Sequence, residues 1–465
     1  RLRSGAPARA MMAPVRNRIP QAIVVSFAGL ILGGTALLSL PACAAEGRFT
    51  LLQALFTATS AVCVTGLTVI DPARDLSPLG QGVLALLIQL GGLGILTLSG
   101  FVIMSLGRRE ELGQRLYVET AHGGVRGVSP LGVLKSAVLA TAAIEGIGAA
   151  LLYAGFGLAL GSFGPRAAWL AAFHSVSAFC NAGFSLFSTN LNAFRDDPLI
   201  SLTVMGLIVV GGIGFVVIAD LSRVARMPSG HRRLWRLSLH SRMVLGTTAI
   251  LVLGGALITA ALEWGNSLRE APWTGRVLAS FFYSVTCRTA GFDSIRTASL
   301  TSATLALGII LMFIGASPGG TGGGIKTTSA ATIWAMLRSR ARGRPAAEIL
   351  GRTIPAETVS KAIATTGAFV AVLVLANLGL SLTEVGLAPH ETSPGLRLDY
   401  AFETVSAIGT VGLSTGITSK LSPGGQLILI ALMYVGRTGP LVVGASLIGR
   451  RRGDSRRLPE EDVIV

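Results

Sequence analysis

The chain has 465 residues, of which 51% are hydrophobic and 13% are charged, and its formal net charge is +16 at pH 7. This composition is too apolar for an ordinary soluble protein, because soluble domains carry about 25% charged residues. Apolar runs long enough to cross a bilayer recur along the whole chain, which predicts a membrane protein with several spans and gives no reason to expect an enzyme.

The positive charge is concentrated in a few segments of the chain. About two thirds of the 39 basic residues lie in five stretches, which are 1–18, 107–128, 222–242, 338–361 and 450–457. All five fall on one side of an eight-span topology, so the positive-inside rule places them and both termini in the cytoplasm of a multi-pass protein of the inner (plasma) membrane. No base-reading element accompanies the charge, so we expect the lipid bilayer as a partner and no nucleic acid.

Eight apolar runs predict eight membrane spans. Their ranges are 20–42, 80–106, 131–160, 199–221, 243–264, 300–315 (continued by 327–340), 361–388 and 424–449. Between the two spans of each successive pair lies an amphipathic segment too short to cross the hydrocarbon, which predicts a re-entrant half-helix. The four predicted half-helices are 50–62, 168–180, 274–287 and 397–409.

A short strand with one glycine follows each predicted half-helix. The four strands are Val64–Thr65–Gly66, Asn181–Ala182–Gly183, Thr289–Ala290–Gly291 and Thr410–Val411–Gly412. Their glycines recur at intervals of 117, 108 and 121 residues, which indicates four internal repeats. Glycine lets extended backbone turn its carbonyl oxygens towards an axis, and rings of carbonyls replace the hydration shell of potassium in channels. The pattern therefore predicts a selectivity filter that binds potassium at the carbonyls of these residues.

The predicted fold class is an all-α membrane protein with both termini cytoplasmic. Four repeats of helix, pore half-helix and helix are expected to lie pseudo-fourfold around a single central pore. The repeats span 20–120, 128–230, 240–352 and 357–450, between cytoplasmic tails 1–19 and 451–465.

The second span of the third repeat is interrupted by a glycine-rich segment, 315–326. Its glycines and its lysine are Gly315, Gly319, Gly320, Gly322, Gly323, Gly324 and Lys326. Six glycines and a proline cannot remain helical, so we expect a loop at membrane depth that acts as a mobile gate, with the Lys326 ammonium repelling a passing cation. The competing interpretation is a phosphate-binding loop, which needs a preceding strand and a glycine directly before the lysine, where Ile325 stands.

Four charged residues at membrane depth are candidates for functional or supporting roles. Arg437 lies 25 residues after Gly412, at the expected level of the loop, where capping the loop carbonyls and taking part in gating are two compatible interpretations. Arg288 belongs to the third filter segment, directly before its strand, and cannot face an ion, so it needs a partner behind the filter, which we predict to be Glu403. For Glu145, within an apolar run, a functional role and a structural hydrogen bond both stay open.

These features resemble the Ktr/Trk/HKT superfamily of potassium transporters. The resemblance covers residues 20–450 and rests on the four strands, the loop Gly315–Lys326 and Arg437 within the run Val–Gly–Arg–Thr–Gly–Pro. Because the chain opens directly with its first repeat, without the two extra N-terminal helices of TrkH subunits, it looks like the KtrB branch, the membrane subunits of Ktr potassium uptake systems.

The resemblance implies a homodimer with one pore in each protomer and potassium as the transported ion. It also implies a cytoplasmic RCK ring subunit, similar to KtrA and binding ATP or ADP, as well as sodium stimulation or symport; no organic cofactor is expected in this chain. A serine at the first strand is associated with sodium-conducting HKT members, so Gly66 favours potassium. One glycine per strand, against two in the TVGYG strand of potassium channels, leaves some sodium permeation open.

Other transport functions stay open as alternatives. They are a TrkH-type potassium transporter, an HKT-like transporter of sodium and potassium and, less in keeping with the chain length, a pump subunit of the KdpA type. A secondary transporter with inverted repeats fits less well, because the repeats of this chain run in the same orientation.

Overall fold

The computed structural model describes four stretches of the chain, residues 18–105, 130–227, 236–386 and 396–448. The basic segments 107–128 and 450–457, the tail 451–465 and nearly all of the tail 1–19 lie outside these described residues, as does part of the basic segment 222–242.

The described chain is almost entirely helical. In chain order its α-helices are α1 (Arg18–Leu38), α2 (Leu51–Val62), α3 (Pro78–Ser105), α4 (Pro130–Leu160), α5 (Pro165–Phe179), α6 (Pro198–Ile213), α7 (Phe215–Ala225), α8 (Leu239–Glu263), α9 (Trp273–Thr286), α10 (Ser302–Phe313), α11 (Thr327–Ala341), α12 (Ala356–Glu384), α13 (Leu396–Gly409), α14 (Pro423–Thr438) and α15 (Pro440–Ile448). Short 3-10 turns cover Pro41–Cys43, Asn192–Phe194, Thr297–Ser299 and Thr418–Lys420, and a small antiparallel hairpin joins β1 (Glu348–Ile349) to β2 (Arg352–Thr353). The four short helices α2, α5, α9 and α13 begin and end within three residues of the predicted half-helices.

Among the described residues, four helices are long and apolar enough to cross a membrane. They are Gln21–Leu38, Ala137–Leu160, Leu239–Glu263 and Ala356–Glu384. These belong to α1, α4, α8 and α12, the first helix of each predicted repeat. Only between 11% and 33% of each apolar window is buried inside the protein, so most of its side chains face outwards, as lipid-facing surfaces do.

Two of the predicted spans are broken, so the prediction of continuous helices over 199–221 and 424–449 is wrong. The breaks fall at Gly214 and Gly439, whose φ angles of 88° and 91° cannot continue a right-handed helix. Between α6 and α7 the helix axis turns by 99°. A Cβ atom built on Gly214 would lie 2.6 Å from the carbonyl oxygen of Pro318, so this break leaves room for the glycine-rich segment of the third repeat.

The helices pack in a closed cyclic order. Each first helix packs against the short helix of its own repeat, in the pairs α1–α2, α4–α5, α8–α9 and α12–α13. The second helix of each repeat packs against the short helix of the next repeat, in the pairs α3–α5, α6–α9, α10–α13 and α14–α2. The last of these pairs joins the fourth repeat to the first, so the short helices are enclosed by the others, and most of their side chains are buried.

Two carboxylates at the ends of first helices hold the beginning of second helices. Glu263 is fully buried and accepts hydrogen bonds from the backbone nitrogen and the hydroxyl of Thr301, both at 2.9 Å. Glu384 does the same for Ser422, whose backbone nitrogen lies 3.1 Å and whose hydroxyl lies 2.6 Å from its carboxylate oxygens. A carboxylate beside a helix N-terminus is also favoured by the helix dipole. These contacts therefore fix where α10 and α14 begin.

Replacing Glu263 with alanine is expected to destabilise the fold. The change removes the acceptor of the Thr301 backbone N–H and of the hydroxyl of Thr304, a residue that is 0% exposed, and each buried polar group left unpaired costs about 1–3 kcal/mol. We expect a lower midpoint of thermal unfolding for Glu263→Ala in detergent, and no change for Glu270→Ala, which removes an exposed carboxylate nearby. Equal midpoints for the two variants would contradict this role of Glu263.

Candidate functional site

The four glycine-containing strands share one backbone conformation. Two residues before each glycine, a residue other than glycine has a positive φ angle; these residues are Val64 (55°), Asn181 (60°), Thr289 (66°) and Thr410 (49°). The next residue donates its backbone N–H back into the preceding helix, as Thr65 does to the carbonyl of Ser60 at 2.8 Å and Val411 to that of Ser406 at 2.8 Å. Each strand is thus anchored to the C-terminal end of its own short helix.

The glycines of the four strands lie next to one another in the same cyclic order as the helices. For a Cβ atom built on each glycine, the nearest atom is the carbonyl oxygen of the residue before the glycine in the next strand: Ala182 for Gly66, Ala290 for Gly183, Val411 for Gly291 and Thr65 for Gly412. The first two of these distances are 2.5 and 2.7 Å. The last relation returns to the first strand, so the ring is closed and the four predicted glycines surround one place.

Backbone atoms of neighbouring strands meet at this ring: among the described residues, the three atoms nearest to the Cβ position of each of the four glycines all belong to the backbone. The side chains of Thr65, Ala182, Ala290 and Val411 are 0% exposed, whereas their carbonyl oxygens approach the neighbouring glycines. Four converging carbonyl oxygens are a ligand set for a cation without its hydration shell. The short helices end directly before the strands, and the partial negative charge of helix C-termini further favours a cation at this place.

The glycine-rich segment of the third repeat forms the predicted loop, since α10 ends at Phe313 and α11 begins at Thr327. The ends of the loop are joined by hydrogen bonds from the Gly315 nitrogen to the Ile325 carbonyl, at 2.9 Å, and from the Ala316 nitrogen to the Gly323 carbonyl, at 3.1 Å.

The loop lies directly against the third and fourth strands. A Cβ atom built on Gly322 would collide with the hydroxyl of Thr289, and one built on Gly323 would collide with the hydroxyl of Thr410. Only glycine therefore allows this close approach between loop and strands.

The second repeat provides the surface on which the loop rests. The backbone nitrogen of Ser317 donates to the carbonyl of Gly212 at 3.0 Å, and that of Thr321 to the carbonyl of Gly211 at 3.1 Å. The Thr321 hydroxyl also donates to the carbonyl of Phe179, the last residue of α5, at 3.1 Å. The loop is thereby connected to the helix that carries the second strand.

Both predicted gate cations donate to carbonyls of the loop. The Lys326 Nζ atom lies 2.9 Å from the Gly322 carbonyl oxygen. Arg437, only 5% exposed, donates from Nη1 to the carbonyl of Thr321 and from Nη2 to the carbonyls of Gly91 and, at 3.4 Å, Gly92. Arg437 thus connects the loop of the third repeat to α3 of the first repeat. It caps a loop carbonyl, which is one of the two roles proposed for it from the sequence.

The predicted pairing of Arg288 with Glu403 is wrong, because the structure gives the two residues separate partners. Arg288 donates from Nη2 to the carbonyl of Gly315, at the start of the loop, at 3.2 Å. Glu403 accepts hydrogen bonds from the hydroxyls of Ser414 and, at 2.9 Å, Thr418, which follow the fourth strand. The physical reason is that Arg288 reaches towards the loop side of the strands, whereas Glu403 holds the segment that leaves the fourth strand.

A small cavity lies beside Arg288. Its volume is about 10 Å³, and Thr248 also lines it. Among the described residues, neither the Arg288 Nη1 atom nor the Thr248 hydroxyl has a hydrogen-bond partner. A cavity of this size is about large enough for one water molecule.

Gln89 and four hydroxyl-bearing residues of the site were not predicted as candidates from the sequence. Glu145 accepts a hydrogen bond from Gln89 at 3.2 Å, in line with a structural role, and the Cys180 thiol lies 3.5 Å from the Gln89 side-chain oxygen. Four hydroxyl groups of the short helices form hydrogen bonds with the strands or with the residue that follows them. They belong to Ser60, Ser177, Thr286 and Ser406. Their signal in the sequence is a serine or threonine five or six residues before each glycine, in the last turns of the short helix.

Comparisons with known proteins agree with this architecture. A family model described as "Cation transport protein", TrkH, matches residues 5–448. The chain is 36% identical to "Potassium/sodium uptake protein NtpJ" of Enterococcus hirae, covering 97% of this chain and 98% of that one. It is 36% identical to "Ktr system potassium uptake protein B" of Vibrio alginolyticus, covering 96% and 94%, and 35% identical to the protein of the same name from Bacillus subtilis, covering 97% of each.

The fold is also similar to a solved structure. It matches the potassium transporter TrkH from Vibrio parahaemolyticus with a TM-score of 0.70 over 91% of this chain and 83% of that chain, at 18% sequence identity. With the family match over nearly the whole chain and the long apolar helices, this is an integral membrane protein. The chain therefore belongs to the TrkH family of cation transport proteins, within the Ktr/Trk superfamily.

Proposed function

We propose that this protein takes up potassium across the cell membrane through a channel-like pore, in which four pseudo-fourfold repeats surround one selectivity filter. The observation that carries the proposal is the closed ring of glycines and carbonyl oxygens. Each strand contributes a carbonyl oxygen that approaches the glycine of its neighbour, and the four residues that carry these oxygens are 0% exposed. Potassium is also the ion that the names of all three relatives share, two being potassium uptake proteins and one a potassium/sodium uptake protein.

The loop of the third repeat is the proposed gate beneath this filter. It lies against the third and fourth strands and is held by Arg437 and Lys326. Two cationic groups next to a cation pathway repel the ion while the loop is in place. Opening would require the hydrogen bonds from Arg437 to the Thr321 carbonyl and from Lys326 to the Gly322 carbonyl to break. The many glycines of the loop allow its backbone to move without steric cost.

Sodium is a second candidate ion. The Enterococcus hirae relative is named a potassium/sodium uptake protein. Each strand of this chain also has a single glycine, so fewer ordered carbonyl rings are available to distinguish the two ions than in a TVGYG filter. We therefore propose potassium as the main ion, with sodium as a weaker or coupled one.

The proposed partners follow the Ktr arrangement: a second copy of the chain in a homodimer, and a cytoplasmic nucleotide-binding RCK ring. Positive-inside topology would place the exposed arginines at the end of α11, among them Arg338, Arg340 and Arg342, on the cytoplasmic side. An acidic surface of a ring subunit is the complement that such a basic face would attract.

Uptake by purified protein in liposomes tests the proposed function. With potassium inside, we expect accumulation of rubidium, a potassium analogue, and inhibition of this uptake by external potassium at lower concentrations than by external sodium. Empty liposomes processed in the same way serve as the control. Uptake no greater than in empty liposomes, or equal inhibition by the two ions, would contradict a potassium-selective pore.

A further inference from the structure

The four strands are held by their short helices in two different ways. In the second repeat the hydroxyl of Ser177 donates a hydrogen bond of 2.8 Å to the carbonyl of Phe184, the residue after the filter glycine. In the third repeat the hydroxyl of Thr286 donates an equally long bond to the carbonyl of Phe292. Both hydroxyl-bearing residues are at most 1% exposed, so no water competes for these bonds.

In the first and fourth repeats the hydroxyl has the opposite role. Ser60 accepts a hydrogen bond of 3.0 Å from the backbone nitrogen of Gly66, and Ser406 accepts one of 3.0 Å from that of Gly412. Within the described part of the chain, no donor contacts the carbonyls of Leu67 and Leu413, which correspond to those of Phe184 and Phe292.

The direction of these bonds decides which carbonyls remain available to an ion. Ser177 and Thr286 belong to the short helices that precede their strands, so a carbonyl that accepts a hydrogen bond from one of them is directed towards that helix. We propose that the ring of carbonyls following the filter glycines is incomplete: Leu67 and Leu413 contribute to it, whereas Phe184 and Phe292 are turned back by Ser177 and Thr286. This inference rests on the proposed function of the ring as an ion filter.

The incomplete ring is one-sided. The first and fourth repeats are neighbours in the cyclic order, and so are the second and third. An ion at this level therefore has carbonyl oxygens on one side and must keep water on the other. The same division is visible in the sequence, where leucine follows the glycine in two repeats and a buried phenylalanine follows it in the other two.

Ser177 and Thr286 are accordingly positioning residues that lower the selectivity of the filter. Discrimination between potassium and sodium depends on how completely carbonyls replace the hydration shell. A half-ring replaces less of it than the complete ring formed by the residues before the glycines. Removing the hydrogen bonds of Ser177 and Thr286 would make the carbonyls of Phe184 and Phe292 available as ligands for potassium. Removing those of Ser60 and Ser406 would instead make the first and fourth strands less rigid.

Paired double variants test this inference in liposomes. For Ser177→Ala with Thr286→Val, we expect the potassium-over-sodium preference, measured by competition with rubidium uptake, to rise by about fivefold, the effect of a gain of one net hydrogen-bond-sized contact. The matched control is Ser60→Ala with Ser406→Ala, for which the preference should fall. A purely structural role of the hydroxyls predicts a fall in both pairs, and this result, or no change in the first pair, would overturn the inference.

A measurement on the unaltered protein gives an independent answer where a variant does not fold. Anomalous scattering from thallium in crystals should show strong density at the level of the Thr65 and Val411 carbonyls and weak density at the level of the Leu67 and Leu413 carbonyls. Equal density at both levels would refute the incomplete ring while leaving the uptake function intact. Failure of the unaltered protein to take up rubidium would instead refute the proposed function itself.

Discussion

Gly412→Ala is expected to abolish ion uptake. The φ angle of Gly412 is +95°, and left-handed backbone costs an L-residue roughly 1–2 kcal/mol. The added methyl group would in addition collide with the carbonyl oxygen of Thr65, one of the four oxygens of the ring. We expect rubidium uptake in liposomes to fall by about 100-fold or more, since each 1.4 kcal/mol added to a barrier slows passage tenfold.

The control for this substitution lies outside the ring. Gly367 is in α12, and a Cβ atom built there would meet no atom within 4 Å. Gly367→Ala should therefore leave uptake unchanged. Both variants must elute from size exclusion as the unaltered protein does, which separates a blocked filter from a misfolded chain. Normal uptake by a folded Gly412→Ala protein would mean that this ring is not the ion pathway.

Arg437→Ala is expected to increase ion flux by roughly tenfold. Hydrogen bonds made by charged groups contribute about 1.5–3 kcal/mol each, and the guanidinium makes such bonds to carbonyls of both the loop and α3. Without them the position of the loop against the strands is less favoured, so its displaced state is populated more often. Shortening the loop within 316–324 is expected to act in the same direction. Steady-state rubidium uptake measures both effects.

Two comparisons show whether the connection itself is responsible. Arg437→Lys keeps the charge but reaches fewer carbonyls, so it should give an intermediate flux. Arg340→Ala removes an exposed arginine from the last turn of α11 and should leave flux unchanged. If uptake stays the same or falls in a folded Arg437→Ala protein, the Arg437 contacts do not hold the loop closed and their role is only structural.

The long apolar helices, the short helices and the loop could be predicted from the sequence because each depends on a local requirement. A helix that crosses a bilayer needs an apolar run of sufficient length, so α1, α4, α8 and α12 can be recognised from their apolar composition. Strands whose carbonyls approach a neighbouring backbone need glycine at that point, so Gly66, Gly183, Gly291 and Gly412 marked the ring by their spacing. Six glycines between α10 and α11 marked the loop for the same reason.

The partners of the polar side chains were decided only by the tertiary structure. Arg288 pairs with the loop carbonyl of Gly315, and not with Glu403, because the two side chains reach towards different parts of the filter. Arg437 contacts Gly91, a residue 346 positions away. The breaks at Gly214 and Gly439, and the choice of each hydroxyl between donating and accepting, follow from packing between repeats. Such contacts join segments that are distant in the chain, and no local pattern in the sequence specifies which of several equivalent groups will meet.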